Sequence, residues 1–386
     1  MRVAQLIENL DTGGAESVAV SLANAMAARG HESHLIVVHG GGGLRSAVAP
    51  AVIFTDLDRP RTSGFPPSLL AYRLGTCRRL AEVLVRHRIE VVQSHLPQAN
   101  FLALWIACRR LARVYPTVHN NREFDYGQRT RLKLAARRQA YRLLLRCCDG
   151  MVAVSEQVGR SLARELRVRG DRIVAIPNGV VLPDEDDVGG REAHRQAWGL
   201  DPDAVLILGI GRLVAQKGHS DLVRALALPG ADPSWRVVVA GEGGERPALE
   251  DLVRTCGLQD RVRLVGHVSD IATLLSAADI VCLPSRYEGL SLALLEALAA
   301  AKAVCAARIE GTVDIVTDGR EALLADPGDV PALAACLHRL TDDPSLRARL
   351  GAAGRELVAQ RYTRDRQVAA LERLYAGERR QGRRRP

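Results

Sequence analysis

The sequence predicts an α/β protein built from two successive doubly wound parallel sheets. Short apolar runs alternate with helical patterns, an acidic stretch rich in Gly and Pro interrupts them at about 180–203, and the alternation then starts again. At roughly 150 residues per domain, a chain of 386 residues has two to three domains. The restarted pattern favours two, and we expect a ligand in a cleft between them, because such sheets bind ligands at the carboxyl ends of their strands.

The strand candidates define the expected domains. The first series of apolar runs lies at 3–10, 34–39, 51–57, 91–96, 114–119, 151–155 and 173–178. The second series lies at 205–211, 236–243, 261–267, 279–285 and 303–307. We therefore expect an N-terminal domain over 1–185, rejoined by a helix at 357–377, a C-terminal domain over 200–356, and a basic tail over 378–386.

The charge of the chain is carried mainly by arginine. Lys+Arg 53 against Asp+Glu 44 gives a net charge of +9, and the only lysines are Lys133, Lys217 and Lys302. Most of the excess is local, in residues 129–146 and in the tail. An aromatic content of 4% disfavours a base-stacking surface, and no nucleic-acid reader motif is present, so we expect no nucleic-acid partner.

The sequence shows no recognisable targeting signal, and its cysteines do not have the spacing of a metal site. No apolar window is long enough to span a bilayer, and the N-terminus does not resemble a secretory signal. The eight cysteines form no C-x-x-C pair, so we expect small buried hydrophobes in a reducing cell. These features predict a cytoplasmic protein.

Two glycine-bearing turns follow strand candidates. Gly13 and Gly14 precede a helix, where they either let a ligand approach the backbone or only satisfy the turn geometry. A G-x-G-x-x-G fingerprint and a P-loop are both missing, which disfavours nicotinamide and ATPase chemistry. In the second half, GIGRLVAQKGH places Arg212 and Lys217 between a strand and a helix, as a grip for a diphosphate or as two solvated charges.

Glu288 and Glu296 are eight positions apart. In one helix they would be separated by about 12 Å along the axis, too far for a hydrolase pair, so two separate tasks are expected. Glu288 is expected in the loop after a strand, and residues 289–292 in a helix start that holds phosphate. Apolar residues surround Glu296, which favours a functional role over a merely solvated side chain. For Glu288, a merely solvated loop side chain is the alternative to a functional role.

Six segments of the sequence together closely resemble a known family. They are GGAE near the N-terminus, VHN at 118–120, VSEQV at 154–158, IPNGV at 176–180, GRLVAQKGH at 211–219 and EGLSLALLEALA at 288–299. They are similar to the retaining nucleotide-sugar glycosyltransferases of family 4 (glycosyl transferases group 1). The resemblance covers about residues 1–360. It implies a GT-B architecture of two facing Rossmann-like domains with an interdomain cleft, the first on the acceptor side and the second binding the donor.

The resemblance also implies residue roles. Arg212 and Lys217 match the cations that bind the donor diphosphate, Glu296 the ribose ligand and Glu288 the carboxylate near the sugar hydroxyls. His119 matches the histidine that points at the donor sugar, with a satisfied structural histidine as its alternative, and His95 is an acceptor-side candidate. The catalytic set is His119, Glu288, Arg212 and Lys217, and the donor-binding set is Gly14, Arg212, Lys217, His267, Val268, Gly289, Leu290, Ser291, Leu292 and Glu296. One departure from the family is Asp314, where a glutamate is usual.

The implied activity is retaining transfer of a sugar from a UDP-sugar or GDP-mannose to a glycan or lipid-linked acceptor in bacterial polysaccharide or glycolipid synthesis. No metal and no cofactor are expected. A nucleotide-sugar epimerase or phosphorylase on the same fold, or a basic nucleic-acid-binding protein, are the alternatives. The basic stretch 129–146 and the tail suggest peripheral attachment to the inner face of the cytoplasmic membrane, with a solvated helix face as the alternative.

Overall fold

A computed structural model describes residues 1–11, 13–58, 68–121, 124, 131–183, 191–199, 204–230, 232–268 and 270–378 of the chain. The chain divides into two compact units. Unit 1 consists of Met1–Asn178 and Arg364–Pro386, and unit 2 of Gly179–Thr363. In each unit, strands alternate with helices along the chain, as the apolar pattern predicts.

Unit 1 contains a parallel sheet of seven strands. The strands are β1 (Arg2–Ile7), β2 (Glu32–Val37), β3 (Ile53–Asp56), β4 (Val91–His95), β5 (Arg113–Val118), β6 (Met151–Ala153) and β7 (Ile173–Ala175). The helices are α1 (Gly14–Ala28), α2 (Ser68–Arg86), α3 (Leu96–Arg109), α4 (Arg131–Cys147), α5 (Glu156–Leu166) and, returning at the end of the chain, α14 (Arg364–Tyr375). The strand order is β3-β2-β1-β4-β5-β6-β7.

Unit 2 contains a parallel sheet of six strands. The strands are β8 (Leu206–Ile210), β9 (Arg236–Ala240), β10 (Val262–Gly266), β11 (Ile280–Leu283), β12 (Ala303–Ala307) and β13 (Leu323–Ala325). The helices are α6 (Arg191–Ala197), α7 (His219–Leu226), α8 (Arg246–Thr255), α9 (Ile271–Ala277), α10 (Leu292–Ala299), α11 (Glu310–Val313), α12 (Val330–Asp342) and α13 (Pro344–Arg361). The strand order is β10-β9-β8-β11-β12-β13.

In both sheets, the direction in which successive strands are added reverses next to the first strand. In unit 1 the chain builds outward from β1 to β3 and then restarts on the other side of β1 with β4. Unit 2 does the same with β8 and β11. Neighbouring loops diverge at such a switch point and leave a crevice at the carboxyl ends of the two strands. The fold therefore directs attention to the loops after β8 and β11.

The central strands are continuous apolar runs because both faces of the sheet are covered. Every residue of β8 (LILGI) and β11 (IVCL) is buried, as expected for a parallel sheet with helices on its faces. Trp235, which immediately precedes β9, is fully buried and packs in the hydrophobic core of unit 2. These strands hold the ends of their loops in fixed positions.

The boundaries of the two units differ from the expected domain limits. Unit 1 ends at Asn178 instead of 185, and the returning helix is α14, whereas residues 357–361 belong to α13 of unit 2. One buried and one exposed contact explain why α14 lies in unit 1. The Tyr375 hydroxyl donates to Gln93 Oε1 at 2.5 Å, and Glu372 accepts from Arg29 at 2.8 Å. The tail from Arg379 onward lies outside the described residues.

The cysteines are all free thiols, but they are not all buried. Cys108 and Cys147 are exposed, with their sulfur atoms 3.8 Å apart. The expectation of uniformly buried cysteines is wrong for this pair, because α3 and α4 pack side by side and leave the last turn of each at the surface. Among the described residues, no helix combines the length and the apolar character needed to cross a bilayer.

Lys302, which had no assigned role in the sequence, supports the end of a helix. Its ammonium group donates to the carbonyl oxygens of Ala278 at 3.0 Å and Ser276 at 3.2 Å, at the end of α9. Burial, together with the nearby charge of Arg191, lowers the pKa of Lys302 to about 8. The folded protein therefore disfavours the charged form of this lysine.

This shift predicts a pH-dependent stability. The pKa of a lysine in the unfolded chain is about 10.4. Between about pH 8 and 10.4 the unfolded state therefore binds more protons at this site than the folded state does. The contribution of Lys302 to the free energy of unfolding should therefore rise with pH across that window and stay constant below it. Urea titrations of the wild type and Lys302→Met measure that contribution as a difference, and a difference independent of pH would contradict the assignment.

Candidate active site

Two loops meet at the switch point of unit 2. The cationic loop (residues 211–218) follows β8 and contains Arg212 and Lys217, and the glutamate loop (residues 284–291) follows β11 and contains Glu288. Because β8 and β11 are adjacent and parallel, both loops leave the same edge of the sheet.

Gly218 lets the two loops touch. Its φ is +66°, a left-handed conformation that favours glycine. A Cβ atom at this position would lie 2.2 Å from the carbonyl oxygen of Pro284, the first residue of the glutamate loop. Glycine is therefore required here both by the backbone conformation and by the close approach of the neighbouring loop.

Hydrogen bonds then join the loops side by side. The Arg286 amide donates to the Gln216 carbonyl at 2.7 Å, and the Gln216 side chain donates to the Tyr287 carbonyl at 2.9 Å. The Arg286 guanidinium also pairs with the buried Asp221 carboxylate of α7 at 2.7 Å. These contacts fix the glutamate loop against both the cationic loop and the helix that follows it.

Lys217 and Glu288 form the centre of this arrangement. The Lys217 ammonium lies 2.6 Å from Glu288 Oε1, and the Ser285 hydroxyl donates to the same oxygen at 2.9 Å. The exposed fractions of the two side chains are only 17% and 12%. An ammonium group has three donors, so Lys217 can hold Glu288 and still bind a second anion. Arg212, on the same loop, is exposed.

His219 lies directly behind the cationic loop. It is the first residue of α7, and its ring is buried against Gly209 of β8. Burial, with a smaller contribution from the Lys217 charge, lowers the pKa of His219 to about 4. The ring is therefore neutral at pH 7 and adds no third positive charge to the loop.

The glutamate loop leads into the N-terminus of α10. The Ser291 hydroxyl caps the helix by accepting from the Leu294 amide at 3.3 Å, and Gly289, Leu290 and Ser291 are all buried. The amides of the first turn have no partner within the helix, which makes this end attractive to anions. Leu292 opens that first turn. Glu296 lies one turn further along α10 and is half-buried.

Gly311 supports the glutamate loop from α11. A Cβ atom there would lie 2.7 Å from the Glu288 carbonyl oxygen and 3.1 Å from that of Gly289. The neighbouring Asp314 is exposed at the end of α11. His267, exposed, and Val268, half-buried, follow the edge strand β10.

The remaining predicted residues belong to unit 1. Gly13 caps α1 with an extended backbone, and Gly14 is its first residue, so this glycine turn begins a helix as expected. The Glu16 side chain occupies the space beside Gly13, where a Cβ atom would meet its carboxylate at 2.3 Å. Thr12 lies outside the described residues.

His119 is held by His95, and His95 by Gln5. His95 Nδ1 lies 3.0 Å from His119 Nε2, and His95 Nε2 lies 2.8 Å from the Gln5 side-chain oxygen. His95 is 0% exposed, so this arrangement offers no direct contact between its ring and an acceptor. The sequence placed His95 correctly at a strand end, but it did not show that both ring nitrogens bond within the protein.

The same hydrogen bonds determine the tautomers of both rings. Burial lowers the pKa of His119 to about 4 and, together with the neighbouring His119, that of His95 well below its ordinary value, so both rings are neutral at pH 7. Since the Gln5 oxygen accepts, His95 carries its proton on Nε2 and accepts at Nδ1 from His119 Nε2–H. His119 is left with Nδ1 as a hydrogen-bond acceptor.

Several supporting residues were missed in the sequence: Gln5, Gln216, Asp221, Ser285 and Arg286. Three of the contacts join residues 65 to 90 positions apart in the chain, so only the fold reveals them. These are Arg286–Asp221, Gln216–Tyr287 and Gln5–His95. For Ser285 a local signal existed, since it lies three residues before Glu288 in the same loop.

Comparisons with known proteins indicate the family of the chain. Residues 12–182 match the model Glycosyltransferase Family 4, and residues 190–357 match Glycosyl transferases group 1. The chain is 32% identical to the D-inositol 3-phosphate glycosyltransferase of Xylanimonas cellulosilytica over 403 residues, which cover 95% of this chain and 92% of the relative.

Two further similarities are more limited. The lipopolysaccharide core biosynthesis glycosyltransferase LpsD of Rhizobium meliloti is 39% identical over 161 residues, 42% of this chain, and the chain spans only 46% of its length. Anabaena HepE, solved in complex with UDP, has a similar fold, with a TM-score of 0.79, 20% identity, and coverage of 98% of this chain and 100% of that one. On the family models and the full-length relative, the chain belongs to the family 4, group 1 glycosyltransferases, with two Rossmann-like units of GT-B type.

Proposed function

We propose that the protein is a retaining glycosyltransferase that moves a sugar from a nucleoside diphosphate sugar to a glycan or lipid-linked acceptor. The observation that carries the proposal is the Lys217–Glu288 pair, 2.6 Å apart, at the switch point of unit 2. A cation for the diphosphate and a carboxylate for the sugar hydroxyls lie side by side there, which suits a ligand that has both groups.

The proposed chemistry depends on the charge of the leaving group. As the glycosidic bond breaks, the diphosphate gains negative charge, and donors already in place stabilise that charge most in the transition state. Lys217, Arg212 and the first-turn amides of α10 supply such donors without a metal ion. Glu288 would accept from the sugar hydroxyls and Glu296 from the ribose, while His267 and Val268 would flank the base.

His119 would act as a hydrogen-bond acceptor for a sugar hydroxyl, since its proton lies on Nε2 toward His95. In this proposal Gly14 approaches the diphosphate, and His95 positions His119 without touching the substrate. The family resemblance supports a reaction in which the leaving phosphate takes the acceptor proton, so no general base is assigned to the chain.

A donor screen tests the function. UDP-, GDP- and ADP-sugars are added singly, and the donor should raise the thermal midpoint, because a ligand that binds the folded state stabilises it. Incubation of that donor with candidate acceptors in EDTA should then give a product with the anomeric configuration of the donor. Epimer formed without an acceptor would identify the rival epimerase, and an inverted product would overturn the retaining mechanism.

The names of relatives suggest the biosynthetic setting. LpsD is named for lipopolysaccharide core biosynthesis, and we propose a related role in bacterial polysaccharide or glycolipid synthesis. An acceptor carried on a lipid would bring the enzyme to an anionic membrane surface.

The structure changes the expected membrane-facing helix. In α4, Leu144 is buried in unit 1, whereas Leu143 is 46% exposed and Ala136 is exposed, so the apolar side chains of this helix do not all face outward. Among its cations, Arg137 is buried and Arg138 pairs with Glu165. Arg129 and the side chains of Arg131 and Leu132 lie outside the described residues.

The helix next to it contributes further basic side chains. A groove of about 610 Å³ between α4 and α5 is lined by four arginines and one acid, namely Arg138, Arg142, Arg164, Arg167 and Glu165. Arg164 and Arg167 are exposed on α5 and at its end. We propose that this groove, with Leu143 nearby on α4, contacts the headgroups of an anionic leaflet.

Vesicle binding tests the membrane proposal. Replacing Arg164 and Arg167 with glutamine should weaken binding to anionic vesicles at low salt by about thirtyfold, at about 1 kcal/mol for each cation. Arg254→Gln, an exposed cation of unit 2, is the matched control and should bind as the wild type does. Equal binding by all three proteins, or none by the wild type, would dismiss the proposal.

A further inference from the structure

A second cluster of chemically active side chains lies in unit 1, near the amino-terminal end of β2. His95 and His119 lie at the other end of the same sheet, where the strands have their carboxyl ends. Glu32, His34 and His87 each offer one ligand atom, and these three atoms all lie within 4.8 Å of one another. Glu32 and His34 are two positions apart on β2 and therefore share one face of the strand. His87 directly follows the last residue of α2.

The two histidines differ in burial. His34 is fully buried on β2, with Nε2 3.1 Å from Glu32 Oε1 and with Nδ1 buried and without a hydrogen-bond partner. The His87 ring packs edge-on against it, with ring centroids 4.9 Å apart. Burial is the main cause that lowers the pKa of His34.

We propose that Glu32, His34 and His87 form a zinc site that joins β2 to the end of α2. Two imidazoles and a carboxylate form a ligand set that zinc commonly takes, and water completes a tetrahedron. Mg²⁺ and Ca²⁺ prefer oxygen ligands, so the two nitrogens select against them.

The geometry requires only a small adjustment. Zinc–ligand bonds of about 2.0–2.2 Å place tetrahedral ligands about 3.3–3.5 Å apart. The Glu32–His34 distance of 3.1 Å is already close to this range. No separation exceeds 4.8 Å, so the largest one has to shorten by at most about 1.4 Å. Glu32 is exposed and His87 half-buried, so both can move toward the fixed His34 ring.

The position in the sheet indicates a structural role for this metal. Glu32 is the first residue of β2, at the amino edge of the sheet, whereas substrates of this fold bind at the carboxyl edge. A metal here would stabilise the fold without taking part in sugar transfer. The inference therefore stands independently of the proposed function.

Metal titration of the full chain tests the site. The exposed thiols of Cys108 and Cys147 also attract zinc, so the measurements use a Cys108→Ser/Cys147→Ser background. Metal-stripped protein is titrated with Zn²⁺ by calorimetry, and Co²⁺ serves as a spectroscopic probe of tetrahedral coordination. We expect one site, and about a tenfold or greater loss of affinity in His87→Ala and in Glu32→Gln.

The matched control is His31→Ala, which removes a histidine of the same unit that bonds to Glu372 instead. This variant should bind zinc as its parent does, and zinc should raise the thermal midpoint of the parent more than that of His87→Ala. No binding by the parent, or equal affinity in His87→Ala and the parent, would overturn the site. His34 is left unchanged, because it is buried and its replacement would disturb folding.

Discussion

Lys217→Ala should lower kcat/KM by about 10²- to 10³-fold, the loss typical of removing one preorganised donor from a developing negative charge. The effect should be large because the Lys217 side chain is only 17% exposed and its ammonium lies 2.6 Å from Glu288, so water replaces it poorly. Removing it also leaves the Glu288 carboxylate without its ionic partner, which adds repulsion toward the diphosphate. Steady-state kinetics with the donor from the screen measure the loss.

Two controls separate this effect from misfolding. Arg254→Ala removes an exposed cation of the same unit outside both loops and should retain wild-type turnover. Urea unfolding of Lys217→Ala should show a cooperative transition with an unchanged slope, since the loop is at the sheet edge and not in the core. A Lys217→Ala enzyme with full turnover and unchanged donor affinity would remove the basis of the proposed mechanism.

Gly218→Ala should both destabilise unit 2 and weaken donor binding. The left-handed conformation at φ +66° costs an alanine about 1–2 kcal/mol, and its Cβ would lie 2.2 Å from the Pro284 carbonyl oxygen. Relief of that contact has to move the glutamate loop away from the cationic loop, which separates Lys217 from Glu288. Chemical denaturation and donor titration measure the two consequences.

Gly244→Ala is the matched control for this substitution. A Cβ atom at Gly244 meets no atom within 4 Å, and its φ is not positive. Its stability should therefore stay within about 0.5 kcal/mol of the wild type, as for most surface substitutions. Equal stability and equal donor affinity in the two variants would show that the loops do not depend on close contact at Gly218.

The central strands could be predicted because they are continuous apolar runs between helical patterns. Every strand candidate in the sequence corresponds to a strand of the structure, including the fully buried β8 and β11. The edge strand β13 was missed, because its three residues, Leu323–Ala325, look no different from an apolar loop until they pair with β12. The pairing, and not the local sequence, makes this segment a strand.

The candidate site was predictable in position and not in its contacts. Glycines and cations after a strand indicate a ligand loop, which located Arg212 and Lys217 correctly after β8. That Lys217 bonds to Glu288, 71 positions away, depends on β8 and β11 being neighbours in the sheet. Likewise, helical periodicity does not say which side of α4 packs inward, so the orientation of Leu143 and Leu144 required the structure.

The most direct test of the central claim compares a nucleoside diphosphate with its nucleoside. Calorimetric titration should show that the diphosphate of the active donor binds the wild type far more tightly than the nucleoside does, because the proposed site uses Lys217, Arg212 and the start of α10 to bind phosphate. In Lys217→Ala most of that advantage should disappear, while nucleoside affinity stays the same. A diphosphate that binds the wild type no better than the nucleoside, or an advantage that persists undiminished in Lys217→Ala, would contradict the assignment of the site.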